Sequence, residues 1–263
     1  MKLVVADLDG TLIYKKKISE VTKQTILKLK KEGYLFTLAT GRHKDAVKPI
    51  YEELNIDLPV ICANGAFMYD FKKKKVIHQE VIEEEVVRQL LSVCDYYEVD
   101  YLLYTTESVV SAPRAKQNLI NRIGAFNSIV VKPGELKNFI KCGIIKILVI
   151  ESDEKRLRTL KEALKEFKGI QSLQSQPSFL DIGSIFASKG RALERLAVYL
   201  DVSLSEVVAI GDQENDLSMI QRAGLGIAMG NGQEMLKEKA SFVTKNFDED
   251  GFSYAIDRFI FYK

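Results

Sequence analysis

The sequence predicts an α/β protein: a doubly wound parallel sheet with a second, α+β domain inserted into it. Two observations predict the sheet. Short apolar runs alternate with helical segments at both ends of the chain, the rhythm of βαβ units. These runs are continuously apolar rather than alternating, as strands buried on both faces require. A third observation predicts the insertion. From about Ile82 to Gly183 helices and strands continue, but no strand there ends in an acidic or glycine-rich signature.

The elements follow in order. Lys2 to Ala6 reads as the first strand. A helix follows from about Ser19, a good N-cap, to Glu32, and Gly33 stops it. Tyr34 to Ala39 is the second strand, with a helix starting near Lys44, and Leu58 to Ala63 is the third. In the middle, Glu83 to Tyr97 and Glu154 to Phe167 read as helices, and Tyr101 to Tyr104 and Ile144 to Ile150 as strands. Ser188-Lys189-Gly190 opens a helix to about Leu200, and Glu206 to Ile210 is again a continuous apolar strand. A short helix to Ala223, a strand from Leu225 to Met229, another helix and a strand from Phe242 to Thr244 complete the chain. The expected organisation is a core of residues 1–81 and 185–263 around an inserted domain of residues 82–184.

Composition narrows the function. The chain has 263 residues, 46% of them hydrophobic, enough for a packed core. Lys plus Arg number 38 and Asp plus Glu 36, a net charge of +2. That balance argues against a nucleic-acid or membrane-surface partner, which calls for a basic excess or stripe. The runs Lys15-Lys16-Lys17 and Lys72 to Lys75 read as solvated turns or hairpin tips. Cys62, Cys94 and Cys142 form no paired motif and read as buried small hydrophobes; with only two histidines, a zinc site is not expected. No signal peptide and no apolar run of about 20 residues is visible, so a cytoplasmic, soluble protein is expected.

Four polar signatures fall at predicted strand ends: Asp7-x-Asp9, Thr40-Gly41-Arg42, Asn64-Gly65 and Gly211-Asp212. In an open α/β sheet this is where ligands bind. An acid after a strand is often a helix cap, but four signatures at equivalent places are not four caps. The chemistry they suggest is phosphoryl transfer. Asp7 and Asp212, remote in sequence, make a hard oxygen-rich site suited to Mg²⁺. A carboxylate also serves as a nucleophile, and Asp9 is close enough to Asp7 to move a proton. Thr40 offers a hydroxyl, with backbone N–H groups beyond it for phosphate oxygens. Lys189 lies in the first turn of a predicted helix, where a cation is unfavourable unless it holds an anion.

Together, Asp7-Leu8-Asp9-Gly10-Thr11, the Thr40-Gly41-Arg42 step, Ser188-Lys189-Gly190 and Gly211-Asp212-Gln213-Glu214-Asn215-Asp216 resemble the haloacid dehalogenase superfamily of phosphatases. Motif order, spacing and the large insertion resemble its Cof-type hydrolases, over the whole chain. The resemblance implies a Rossmann-like core with an inserted α+β cap that selects substrate. It implies Mg²⁺ as cofactor and a small-molecule phosphate ester as substrate, hydrolysed through an aspartyl-phosphate on Asp7. Asp9 then binds the metal through its backbone and acts as general acid and base. Thr40, Gly41 and Lys189 hold the phosphoryl group. Asp212 is a metal ligand, Asp216 supports the metal site, Asn215 lies close to the phosphate, and Asn64 and Arg42 lie near the substrate.

One segment departs from the family pattern. A Pro and a Gly commonly precede the lysine loop, and here the stretch reads Asp181-Ile182-Gly183-Ser184-Ile185-Phe186-Ala187. That bears on cap motion and substrate size. A phosphomutase on the same scaffold and a phosphoacceptor signalling module are the alternatives, the latter disfavoured by the large insertion. Gly230-Asn231-Gly232 raises a nucleotide-binding reading but is more simply a turn before a helix. Neither the particular metabolite nor the oligomeric state is encoded in these motifs.

Overall fold

The computed structural model describes residues 1–15, 17–123 and 128–262. Lys16, in the middle of the first lysine run, lies outside the described residues. The chain opens with β1 (Leu3–Ala6), buried along its whole length. Then come α1 (Glu20–Lys31) and β2 (Leu35–Leu38). The Ser19 hydroxyl caps α1 by accepting from the Thr22 amide, and Glu20 and Lys28, Lys30 and Lys31 complement the helix dipole. Next are α2 (Lys44–Glu53), β3 (Val60–Cys62), β4 (Phe67–Asp70) and β5 (Lys75–Gln79). Lys72 to Lys74 are exposed in the turn joining β4 to β5, so the second lysine run sits at a hairpin tip.

The inserted stretch carries α3 (Glu84–Tyr96), β6 (Asp100–Tyr104), β7 (Val109–Ser111), α4 (Pro113–Ile123) and β8 (Ile129–Val130). It continues with β9 (Lys146–Ile150), α5 (Glu154–Leu164), β10 (Ile170–Gln176) and β11 (Phe179–Ser184). The chain then forms α6 (Lys189–Tyr199), β12 (Val207–Gly211), α7 (Leu217–Arg222) and β13 (Leu225–Ala228). It closes with α8 (Glu234–Lys237), β14 (Phe242–Val243) and α9 (Gly251–Ile256).

Two compact units result. One comprises Met1–Gly41, Lys48–Ile77 and Ser188–Lys263, the other Arg42–Val47 and His78–Ala187. The expected insertion, 82–184, lies within the second, which also draws in the start of α2.

The first unit holds a five-stranded sheet in the order β14-β13-β12-β1-β2, parallel throughout. From β1 the chain moves outward to β2 on one side and later returns to build β12, β13 and β14 on the other. The strand order therefore reverses between β1 and β12, a switch point of the kind that opens a ligand crevice at the carboxyl ends. Side chains of β1 and β12 join those of α6 and α7 in one apolar core that includes Leu3, Val5, Leu193, Leu196, Ala209 and Met219. β3 departs from the expected third parallel strand. Its regular pairing is antiparallel, in a separate sheet of order β3-β4-β5, and a single parallel bridge, Ala39 to Ile61, ties it to the chain leaving β2. It is only three residues long and runs straight into the turn of Ala63, Asn64 and Gly65, all with positive φ.

The second unit is α+β. Its sheet has the order β10-β11-β9-β6-β7-β8. One face, through Tyr101, Leu103, Ile147, Val149, Leu180 and Ile182, packs with buried residues of α3 and α5. Cys62 and Cys94 are buried as expected, but Cys142 is exposed, because it ends a 3₁₀ stretch just before the left-handed Gly143. Among the described residues no helix is long and apolar enough to cross a membrane.

Candidate active site

The carboxyl ends of β1 and β12 present their acids to each other. Asp7 directly follows β1 and is buried, its amide donating to the Ile210 carbonyl at 2.9 Å. The chain then coils back, with the Leu8 carbonyl accepting from the Leu12 and Ile13 amides. The loop closes over Asp212 because residue 10 is glycine. Its φ is +91°, and a Cβ there would stand 2.2 Å from Asp212 Oδ2. The next residue, Thr11, donates its hydroxyl to Asp212 Oδ1 at 3.1 Å.

Asp212 follows β12 and has its other oxygen bound by Gln213 Nε2 at 2.9 Å. Asp216 folds back under it. Asp216 Oδ2 accepts from the Asp212 and Gln213 amides at 2.9 and 3.0 Å, and Oδ1 accepts from Lys189 Nζ at 2.5 Å. The same ammonium donates to Asp7 Oδ1 at 2.5 Å. Lys189 is the first residue of α6 and is fully buried, with the Ser188 hydroxyl capping the helix. Gly65 lets this loop approach. At φ +88° it lies so near that a Cβ would meet the Ser188 carbonyl oxygen at 2.2 Å.

Among the described residues, Asp7, Asp212 and Asp216 form a group in which one carboxylate oxygen from each lies within 4.8 Å of the others. Crowding and burial shift their acidities. Burial pushes Asp7 well above the usual carboxylate range, Lys189 opposes this, and Asp216, Asp212 and Asp9 reinforce it. Asp212 is raised to about 7 by burial and by Asp216, against Gln213, Lys189 and Thr11. Burial works against the charge on Lys189, but Asp216 and Asp7 outweigh it and hold the ammonium firmly protonated. Three carboxylates against one ammonium leave two negative charges uncompensated when all ionise. An oxygen-only donor set with that surplus fits a hard divalent cation such as Mg²⁺.

A second cluster adjoins this one. The Thr40 amide donates to the Ile61 carbonyl and its carbonyl accepts from the Asn64 amide, both at 2.9 Å. Gly41 follows, packed against the Asn64 side chain. Asn64 Oδ1 accepts from Asn215 Nδ2 at 2.9 Å, which ties the Thr40 loop to the turn carrying Asp212 and Asp216. Asn64 Nδ2 and Asn215 Oδ1 are both buried without a hydrogen-bond partner in the protein. A buried amide with an unused donor has polar capacity to spare for a ligand.

Eight of the ten predicted residues thus fall into two clusters. Asp7, Lys189, Asp212 and Asp216 meet in one cluster. Thr40, Gly41, Asn64 and Asn215 meet in the second. Asp9 is half-buried, and its carboxylate is not part of the acidic group, though its charge acts on Asp7. Arg42 groups with the other unit, where its guanidinium acts on Tyr104.

The chain matches the haloacid dehalogenase-like hydrolase family over residues 4–256. It belongs to that family. Among its haloacid dehalogenase-like relatives it is 33% identical, over 99% of this chain and 98% of the other, to a 5-amino-6-(5-phospho-D-ribitylamino)uracil phosphatase of Bacillus subtilis. It is 27% identical, over 92% of each chain, to a pyridoxal phosphate phosphatase of Escherichia coli. Its fold is similar to that of a haloacid dehalogenase-like hydrolase from Bacteroides thetaiotaomicron, with a TM-score of 0.85, 29% identity and 98% of each chain covered. The chain is a phosphate-monoester hydrolase with the Rossmann-like core and inserted cap of the family.

Gln213 and Asn231 are site residues that sequence reasoning missed. Gln213 holds Asp212, and Asn231 donates to the Gly10 carbonyl at 2.9 Å while accepting from the Phe247 amide. Asn231 carried a visible signal, its place between two glycines, but that pattern reads as a plain turn. Gln213 carried none beyond its position within the acidic motif.

Proposed function

We propose that this enzyme hydrolyses small phosphorylated metabolites with Asp7 as nucleophile, Asp9 as general acid and base, and Mg²⁺ held by Asp7, the Asp9 backbone and Asp212. The observation that carries the proposal is the buried Asp7, held by Lys189 at 2.5 Å beside Asp212 and Asp216. A carboxylate oxygen of Asp7 attacks the phosphorus, an acyl-phosphate bond forms and the ester P–O bond breaks. Asp9 gives its proton to the departing alkoxide. It then takes a proton from the water that attacks the same phosphorus, and inorganic phosphate leaves with Asp7 restored.

Lys189, the Thr40 hydroxyl and the Gly41 amide hold the phosphoryl oxygens, where fixed donors stabilise growing charge. Asn215 lies beside them and Asn64 turns its unused amide toward the substrate. Asp216 acts through its neighbours, orienting Lys189 and the Asp212 loop. Bound Mg²⁺ supplies the positive charge that lets an ionised ester approach an ionised Asp7. The inserted unit selects the substrate and excludes water, and Arg42 serves the substrate rather than the phosphoryl group. The relatives that act on a ribitylamino-uracil phosphate and on pyridoxal phosphate support a metabolite-sized ester as substrate.

The test is phosphate release across a panel of sugar, polyol, nucleotide and cofactor phosphates, with and without Mg²⁺. Turnover of at least one ester with Mg²⁺, lost on chelation and lowered when Ca²⁺ replaces it, is expected. Ca²⁺ takes more oxygen ligands, at about 2.3–2.6 Å, and would compete for the Asp7 oxygen that has to attack. Full activity in chelator contradicts the proposal.

Metal binding has a readout separate from activity. A carboxyl group whose acidity is weakened by folding stabilises the fold below its ordinary range, and that contribution is lost as pH rises through its folded value. For Asp212 the window runs from 3.8 to about 7, and Asp7 is shifted in the same direction. The metal-free fold is therefore weakened by alkali, and Mg²⁺ must displace protons to bind below that window's upper end. The rise in melting temperature on adding Mg²⁺ is expected to be small at pH 5 and several-fold larger at pH 8. An equal shift at both values contradicts this.

A further inference from the structure

Phosphoryl transfer itself makes no use of Gly230-Asn231-Gly232, yet this turn joins three loops within the first unit. It lies one residue beyond β13. On one side the Gly230 amide donates to the Lys245 carbonyl at 3.0 Å. On the other the Gln233 amide donates to the Asp212 carbonyl at 2.8 Å. Gly232 packs so closely there that a Cβ would stand 3.0 Å from the same oxygen. Between these ties Asn231 uses both ends of its side-chain amide. Its Nδ2 donates to the Gly10 carbonyl at 2.9 Å, and its Oδ1 accepts from the Phe247 amide at 2.8 Å.

The Gly10 end of this bridge is the one that bears on chemistry. Gly10 directly follows Asp9, and its φ of +91° sets the direction in which the chain leaves that residue. A glycine permits such a turn but, having no side chain, does little to hold it. The Gly10 amide is tied to the Ile13 carbonyl at 3.0 Å, and the Gly10 carbonyl is tied to Asn231. Beyond it, Thr11 is fixed by its bond to Asp212, so movement of the Gly10 peptide falls on Asp9. The loop has a second anchor, the Tyr14 ring on the Phe247 ring with centroids 5.1 Å apart. Loss of Asn231 therefore frees the Gly10 peptide without releasing the whole loop.

We propose that Asn231 is a positioning residue for proton transfer by Asp9: by holding the Gly10 carbonyl it fixes the backbone that aims the Asp9 carboxyl at the leaving oxygen. This rests on the role given to Asp9 above. The bridge needs a donor at one end and an acceptor at the other, which an amide supplies. An ionised aspartate in its place would still accept from Phe247 but could not donate to Gly10.

The leaving group provides the test. An alkoxide needs a proton from Asp9 to depart, whereas p-nitrophenolate leaves without one. The ratio kcat/KM reports the step that breaks the ester bond, not the later hydrolysis of the aspartyl-phosphate. Five full-length proteins are compared at saturating Mg²⁺: wild type, Asn231→Ala, Asn231→Asp, Asp9→Asn and Asp9→Asn/Asn231→Ala. The esters are p-nitrophenyl phosphate and the primary-alcohol ester of the panel above that the wild type turns over fastest. Both Asn231 variants are expected to lose about 10- to 100-fold in kcat/KM on the primary-alcohol ester, and much less on p-nitrophenyl phosphate. The double variant is expected to lose no more than Asp9→Asn alone. In the metal-free Asn231 variants, hydrogen exchange is expected to quicken at the amides of Gly10 to Ile13 and to stay unchanged in β1 and β12. Equal losses on the two esters, losses that multiply in the double variant, or variants that fail to fold overturn the inference and make Asn231 structural. Unchanged kcat/KM on the primary-alcohol ester, or unchanged exchange in the loop, overturns it as well. If Asp9→Asn itself loses equally on both esters, the role of Asp9 falls and this inference with it. A wild type that hydrolyses no ester of the panel overturns the phosphatase reading as a whole.

Discussion

Asp7→Asn is expected to reduce phosphate release by about a thousand-fold or more, the scale of losing a nucleophile. The same substitution is expected to leave the metal-free fold as stable as the wild type or more so at pH 8. Ionising Asp7 means burying charge beside Asp212 and Asp216, and its acidity is already weakened for that reason. An asparagine keeps the shape and removes the charge, giving up its pairing with Lys189. Kinetics with a metabolite ester and a melting curve in chelator separate the two effects. Near-normal turnover by the folded variant contradicts the role of Asp7, and a large fall in melting temperature contradicts the electrostatic account.

Lys189→Met is expected to act in the opposite way on stability. The ammonium is fully buried, and it is the charge that two buried carboxylates share. Breaking a buried ion pair by removing one partner costs about 3–5 kcal/mol, because the other partner is left charged and unpaired. The loss is expected to be near that size at pH 8 in chelator and smaller at pH 5, because burial weakens the acidity of Asp7 and a protonated Asp7 no longer needs a cation. Activity is expected to fall with it, as one of the phosphoryl-holding donors is gone. Urea unfolding at the two pH values checks the stability effect, and a loss independent of pH contradicts it.

Much of this site was legible in the sequence, for identifiable reasons. β1 and β12 are continuous apolar runs, so acids directly after them stand out, and the parallel register carries both to one edge of the sheet. Lys189 was legible because a cation at a helix N-terminus has to be explained. The Ser19 cap and the acidic and basic ends of α1 were likewise local signals.

What stayed hidden depends on contacts between remote residues. Nothing local says that Asn231 will hold the Gly10 carbonyl or that Asn215 will hold Asn64. The antiparallel pairing of β3 was hidden because a short apolar run reads alike in either kind of sheet, and only the β4–β5 hairpin beyond it decides. Lys146 is a visible anomaly, opening the otherwise apolar β9, but its partner Asp181, 2.7 Å away, is supplied by strand pairing.

The measurement that tests the account most directly is the search for the covalent intermediate. Wild type and Asp9→Asn are mixed with an ester they turn over and Mg²⁺, quenched in acid within the first turnovers, digested and mapped by peptide mass spectrometry. One phosphoryl group on Asp7 is expected in both, accumulating further in Asp9→Asn, where the residue that activates water is gone. Turnover with no phosphorylated peptide, or with the phosphoryl group on any other residue, would contradict it.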